Sequence, residues 1–246
     1  MNFSGKRADG AGRIRATLDL VQRDGYEGTG PGEFTPDGCS VELYRRLPVR
    51  DEPQIIAAAV PPPATLLELG CGAGRVTKSL VSLGYEVTAV DESAAMLATI
   101  EDAETVLSPI EDLALYRVFD IVFLSSFLVH APDIAVRQRM LRACRQHVEY
   151  DGTVIIQREG AGWHTKIPRQ NPIGDGYSRV TASTDVGDGV REVHVEYGFP
   201  DAHWTQTFRS RPLTVEQFET ALREAGLFVE RYLTSDGTWV AASPIS

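Results

Sequence analysis

Cysteine is scarce: 246 residues contain three, Cys39, Cys71 and Cys144. With no CxxC pair and no histidine clustered near them, neither a disulfide framework nor a metal site is supported, and all three read as reduced thiols. Long apolar runs are missing as well. No stretch reaches eighteen apolar residues, and the opening MNFSGKRADGAGRIRA lacks the apolar centre of a signal peptide, so a cytoplasmic chain without membrane contact is expected. Positive charge is in the minority: 24 Lys and Arg stand against 34 Asp and Glu, a formal charge of −10. Such a surface repels phosphate backbones on average, so nucleic acid is not the expected partner. The basic run Arg137, Arg139, Arg142 and Arg145 alternates with apolar residues, as the solvated face of a helix does.

What is present is an alternation of two kinds of segment. Short apolar runs at 65–69, 85–90, 104–107, 119–124 and 152–157 read as strands, separated by helical stretches near 74–83, 93–101 and 133–148. Strand, helix, strand at this spacing implies βαβ crossovers and a largely parallel sheet covered on both faces. Between the third and fourth of these strands, SPIEDLALYRV has room for only a turn or two of helix. Upstream, residues 13–23 read as a short amphipathic helix, CSVELYRRL and DEPQIIAAAV as two more, and the Gly/Pro-rich segment between as a loop. Downstream of residue 157 the pattern becomes β-rich, with turn signals GDG and PDAH, as in an antiparallel meander. A helix then starts at Thr214, with Gln217 in the capping-box position and Gly226 at its end, and LFVERYL and TWVAAS form a closing hairpin.

One short stretch carries the chemistry. In TLLELGCGAGRVTKSL an apolar strand ends at Glu68-Leu69 and turns through Gly70, Cys71, Gly72, Ala73 and Gly74 into a helix. Glycines there let a backbone approach a ligand at the carboxyl edge of a parallel sheet. A dinucleotide fingerprint requires a glycine where this chain has Arg75, and a P-loop requires a Gly-Lys-Ser/Thr triplet that is missing, so the pyrophosphate and triphosphate readings both weaken. YEVTAVDES places Asp91 at the end of the next strand, beside the loop across the sheet. A carboxylate at that point can accept both hydroxyl hydrogens of a ribose, so the loop and the acid together specify a nucleoside.

ELGCGAGR followed by VTAVDES resembles the first two motifs of the class I S-adenosylmethionine-dependent methyltransferases. The resemblance covers residues 64–158 and the closing helix and hairpin. It implies an α/β, Rossmann-like, mostly parallel seven-stranded sheet with a reversed last strand. Residues 1–60 would form an N-terminal helical cap, and residues 61–246 the methyltransferase domain, with 158–212 as an inserted antiparallel β meander on the substrate side or at a dimer contact. S-adenosyl-L-methionine is the implied cofactor and a small metabolite, notably a bacterial natural-product intermediate, the implied acceptor. By the same resemblance Gly70, Cys71, Gly72 and Gly74 line the methionine and ribose, and Glu68 supports the loop or the methionine ammonium. Asp91 holds the ribose hydroxyls, with Glu92, Ser93 and Met96 beside the sugar and adenine. Ile110 and Glu111 lie near the adenine, although Pro109 stands where many relatives carry an aspartate. Tyr44 reaches toward the cofactor's carboxylate.

Methyl transfer requires alignment and exclusion of water, with a base only where the acceptor carries a proton to be removed. FDIVFLSSFLVHAPD offers Ser125 beside the cofactor, with Phe127 and His130 on the acceptor side; His130 is the candidate base, since imidazole titrates near neutral pH. Glu159, Trp163 and His164 follow the fifth strand and are candidates for the acceptor contact or a lid. Three other functions stay open: a protein or RNA methyltransferase, a cofactor-binding protein without activity, and an NAD-dependent reductase. An exposed meander edge could pair with a second copy in a homodimer.

Overall fold

The computed structural model describes residues 23–245, and the helix expected over 13–23 lies, except for Arg23, outside them. In chain order the elements are β1 (Glu27–Thr29), α1 (Val41–Arg46), α2 (Glu52–Ala59), β2 (Thr65–Leu69), α3 (Thr77–Leu83), β3 (Glu86–Asp91), α4 (Ala94–Leu97), β4 (Glu104–Leu107), β5 (Phe119–Leu124), α5 (Ile134–His147), β6 (Val148–Gln157), β7 (Arg169–Ile173), β8 (Gly176–Asp185), β9 (Arg191–Phe199), β10 (Ala202–Ser210), α6 (Val215–Glu224), β11 (Leu227–Tyr232) and β12 (Trp239–Pro244). They build two sheets. The larger has the order β11-β12-β6-β5-β2-β3-β4. Strands β2 to β6 pair in parallel, and only β12, inserted between β6 and β11, runs antiparallel to its neighbours. This is the seven-stranded arrangement with a reversed last strand that the sequence implies.

Alternation along β2 shows why both faces are covered. Leu67 and Leu69 point into one core with Val122, Leu141, Phe218 and Leu222, beneath α5 and α6. Leu66 points into the other with Ile56, Leu80, Ile121, Phe123 and Trp239, beneath α2 and α3. Each fully buried side chain of this size contributes about 1.5–3 kcal/mol of transfer free energy. The last-starting helix, α6, opens with the expected capping box: the Thr214 hydroxyl accepts from the Gln217 amide, and the Gln217 side chain accepts from the Thr214 amide.

The second sheet, β1-β10-β9-β8-β7, is antiparallel throughout. Three of its strands are the expected meander; β1 and β7 are not expected from the sequence. The EGT of β1 pairs with Gln206 and its neighbours on β10, so the N-terminal segment completes the insert's sheet as well as supplying helices. β7 carries Pro172, which reads as a strand breaker but is tolerated on an edge, where no partner needs its amide. Helix α4 is shorter than the 93–101 expected. The Ser93 hydroxyl caps its start, and the Thr99 hydroxyl donates to the Met96 and Ala73 carbonyls, drawing the chain out of helix. Among the described residues no helix is long and apolar enough to cross a membrane.

Candidate functional site

The carboxyl ends of β2, β3, β5 and β6 face the second sheet across a cavity of about 1000 Å³. On its floor lies the glycine loop. The amides of Gly70 and Cys71 donate to the Val90 carbonyl at 2.9 and 3.0 Å, which fastens the loop to β3. Gly70, Gly72 and Gly74 all have positive φ, at 76, 54 and 79°. A methyl group at Gly70 would stand 2.5 Å from Leu128 Cδ1, and one at Gly74 2.7 Å from Ile100 Cγ1, whereas Gly72 opens toward the cavity with Tyr44 as its only near neighbour. Gly72 is thus the position at which a ligand can lie on bare backbone.

Asp91 stands at the end of β3 with one carboxylate oxygen taken by the Gly72 amide and the other by the Ser93 amide, both at 2.9 Å. Burial raises its pKa, and those two amides oppose the rise. Each oxygen keeps a second lone pair for a ligand hydroxyl. Glu68 is almost wholly buried beneath the loop, accepts the Thr77 hydroxyl at 2.6 Å, and is pushed up by burial to about 7. Arg75, the residue that breaks the dinucleotide fingerprint, forms a 2.6 Å ion pair with buried Glu52 of α2 and donates to the Pro48 carbonyl. Its guanidinium ties the cap to the loop. Ser125 at the end of β5 donates to the Gly70 carbonyl at 2.9 Å.

Most residues selected from the sequence converge here. Tyr44, Glu68, Gly70, Cys71, Gly72, Asp91, Glu92, Met96, Ile110, Glu111, Ser125, Phe127, His130, Glu159 and Trp163 all line the cavity; Gly74 and His164 do not. Gly74 packs on Ile100, and His164 stands behind Glu159, its Nε2 2.7 Å from Glu159 Oε2 and its Nδ1 2.9 Å from the Ser183 hydroxyl. Tyr44 lies against Gly72, and its hydroxyl accepts a hydrogen bond from Cys39 at 3.0 Å. Burial drives this phenol's pKa well above its ordinary value, so it stays protonated.

His130 does not fit a free base. Its Nδ1 lies 3.0 Å from the Arg211 carbonyl and can only donate there, so Nε2 is the acceptor for the Glu159 amide at 2.9 Å. Both ring nitrogens are spent on backbone. Burial lowers its pKa against the opposing charge of Glu159, which leaves the neutral ring that this pattern requires. The imidazole pins the segment after β6 to the end of the meander, an arrangement that positions Glu159.

Glu159 accepts the Ser210 hydroxyl on Oε1 at 2.7 Å while His164 meets Oε2. Burial alone would raise its pKa; the His164 hydrogen bond, the nearby His130 and the Ser210 hydroxyl together hold it below the usual carboxylate value. Around it stand aromatics: Trp163 has Phe127 at 6.3 Å and Phe208 at 6.4 Å between ring centroids, with the Arg169 guanidinium 4.2 Å above the indole. Two consecutive non-glycine residues with positive φ, Ser126 and Phe127, form the turn that delivers the Phe127 ring.

Several lining residues escape the sequence reading: Arg23, Arg169, Tyr197, Gln206, Phe208 and Ser210. The last three have a signal in hindsight. Trp204, Gln206, Phe208 and Ser210 fall at every second position of β10 and share one face, on which two polar residues interrupt an otherwise apolar stripe. Arg23 lies 2.5 Å from Glu92 and 3.8 Å from Glu111, capping the two acids expected beside the sugar and adenine.

Comparison with known proteins agrees with this geometry. Residues 67–156 match the family model described as a methyltransferase domain. The chain is 31% identical over 130 residues to the ubiquinone biosynthesis O-methyltransferase of Xanthomonas campestris pv. campestris, a match covering 49% of this chain and 53%, about half, of that relative. It is 27% identical over 241 residues to the dTDP-3-amino-3,6-dideoxy-alpha-D-glucopyranose N,N-dimethyltransferase of Streptomyces fradiae, covering 92% of this chain and 88% of that one. Among solved structures, the sugar N-methyltransferase KedS8 from Streptoalloteichus superposes with a TM-score of 0.64 at 19% identity, over 100% of this chain and 99% of that one. CalS10, an amino pentose methyltransferase from Micromonospora echinaspora, gives 0.62 at 18% over 79% and 89%. Residues 67–156 of this chain thus match a methyltransferase domain model, and the chain shares the Rossmann-like fold of these solved structures.

Proposed function

We propose that the chain transfers the methyl group of S-adenosyl-L-methionine to a nitrogen or oxygen of a small metabolite, with a sugar nucleotide of natural-product biosynthesis as the best-supported acceptor class. The observation that carries this reading is the pairing of bare backbone at Gly72 with the Asp91 carboxylate, on the floor of a cavity walled by the meander. The residues present fit the cofactor: Asp91 retains lone pairs for a ribose diol, and Met96 and Ile110 offer apolar contact to an adenine. Glu68, beneath the loop, takes the methionine ammonium, and Tyr44 covers Gly72. When bound, the cofactor supplies an electrophilic methyl on a sulfonium, and the protein's contribution is alignment and exclusion of water.

The acceptor enters between the sheets, where Phe127, Trp163 and Phe208 wall an apolar chamber and Glu159 gives it a polar end. His130 acts as a positioning residue in this scheme, not as the base. A chamber of about 1000 Å³ between two sheets suits a cofactor and a small acceptor better than a protein or RNA chain. We propose that residues 23–60, the described part of the expected cap, cover the cofactor and that 158–212 form the acceptor-side insert, in a cytoplasmic enzyme whose β7 edge is available to a second copy.

Calorimetry with S-adenosylmethionine and S-adenosylhomocysteine tests the first half, with binding in the micromolar range expected. Mass spectrometry of dTDP-3-amino-3,6-dideoxyglucose incubated with methyl-labelled cofactor tests the second. Absence of heat with either cofactor form would defeat the proposal.

A further inference from the structure

The acceptor end of the cavity holds the Glu159 carboxylate beside a histidine, His130, that is not free to act as a base. Glu159 has about 4% of its side chain exposed, and among the described residues no lysine or arginine forms an ion pair with it; the imidazoles of His164 at 2.7 Å and His130 at 3.6 Å are its nearest titratable neighbours. Ser210 and His164 each occupy one lone pair of its two oxygens, which fixes the carboxylate in place and leaves one lone pair on each oxygen. A buried carboxylate in such a chamber is costly unless a positive charge or strong donor meets it. Meanwhile His130 has spent both ring nitrogens on backbone groups, and the buried Tyr44 and Tyr197 phenols hold their protons.

We propose that Glu159, held by Ser210 and His164, selects an amine nitrogen over a hydroxyl oxygen as the methyl acceptor, by providing the counter-charge to the positive charge the acceptor gains. The inference rests on the methyltransferase reading above and names its substrate class. A neutral amine attacks with its own lone pair, so the nitrogen–carbon bond forms as the carbon–sulfur bond breaks with its electron pair going to sulfur. The positive charge leaves sulfur and arrives on nitrogen as a methylammonium, beside the carboxylate; its proton passes to solvent after release. A hydroxyl acceptor would have to lose its proton during the transfer, and the Glu159 carboxylate, held below its usual pKa, is too weak a base for an alcohol. Preorganised charge of this kind acts where charge develops, without reorganisation cost at the moment of reaction.

The test uses dTDP-3-amino-3,6-dideoxyglucose and its counterpart with a hydroxyl at the same carbon, together with Glu159→Gln, which keeps the shape and removes the charge, and Ser210→Ala. The native enzyme should methylate the amine at least about 100-fold faster than the hydroxyl. Glu159→Gln should lose about 100-fold in kcat on the amine with S-adenosylhomocysteine affinity unchanged, and Ser210→Ala about 10-fold. Unchanged cofactor affinity certifies the fold of each variant. Equal rates on amine and hydroxyl, or a Glu159→Gln enzyme within 3-fold of native, would overturn the assignment. Should neither sugar react, labelled cofactor with a metabolite extract decides the matter by NMR: label on nitrogen upholds the inference and label on oxygen or carbon ends it. Label in no product counts against the proposed transferase function instead.

Discussion

Asp91 and Gly72 are joined by a 2.9 Å hydrogen bond in which the glycine amide donates to the carboxylate, closing β3 onto the loop that follows β2. The same carboxylate is placed to bind a ribose diol, so Asp91→Ala removes a loop anchor and a ligand contact together. Charge-assisted hydrogen bonds are worth about 1.5–3 kcal/mol each, and a loss of about 3 kcal/mol corresponds to more than 100-fold in affinity. Asp91→Asn, which keeps an oxygen for the Gly72 amide but turns its NH2 toward the Ser93 amide, should lose less thermal stability than Asp91→Ala and still lose most cofactor affinity. Calorimetry on both variants checks this; undiminished binding by Asp91→Ala would refute the ribose role.

Glu68 gives the ligand-free protein a pH signature. Burial lifts its folded value from 4.5 to about 7, so the unfolded chain ionises first as pH rises. The native state therefore loses stability from about pH 4.5 to about pH 7 and no further above it, to a total on the order of 3 kcal/mol. Glu68→Gln, whose side-chain oxygen can still accept from Thr77, escapes that loss. Urea midpoints of the two proteins should nearly coincide at pH 4.5 and separate in favour of the variant at pH 8; a gap independent of pH would contradict the burial argument.

His130→Ala should lower kcat by an order of magnitude or so while leaving the shape of the pH–rate profile intact, because the ring holds Glu159 and takes no proton. Disappearance of an acidic limb in the variant would restore His130 as a base.

Trp204 is fully buried, donates to the Pro31 carbonyl at 2.8 Å, and carries the Arg46 guanidinium 5.0 Å over its ring. Trp204→Ala should cost about 3–5 kcal/mol and free the N-terminal segment from the meander. Protease cleavage between residues 23 and 50 should then run well ahead of global unfolding, and simultaneous loss of all fragments would argue against a local release.

The parallel core was legible because β2, β3 and β5 are mostly buried and mostly apolar, with the glycines and Asp91 marking the carboxyl ends of β2 and β3. Register does the rest: Leu69 pairs with Val90, so the loop and the acid are neighbours by one strand spacing. The acceptor end was harder to read. Glu159 meets Ser210 across 51 positions of chain, and no local pattern announces such a pairing. His130 misled for a related reason: a histidine beside a strand end looks reactive until the carbonyl of Arg211 and the amide of Glu159, supplied by distant segments, are seen to occupy its ring. β1 and β7 were hidden by a glycine and a proline, residues that edges tolerate and interiors do not.

The pairing of Glu27, Gly28 and Thr29 with Thr207, Gln206 and Thr205 joins the segment before α1 to the meander in one wall. Evolution or engineering that alters the proposed acceptor must therefore treat residues 23–50 and the 158–212 insert as a single exchangeable cassette. Chimeras that swap one without its partner should misassemble, whereas paired swaps should carry their preference for acceptor with them.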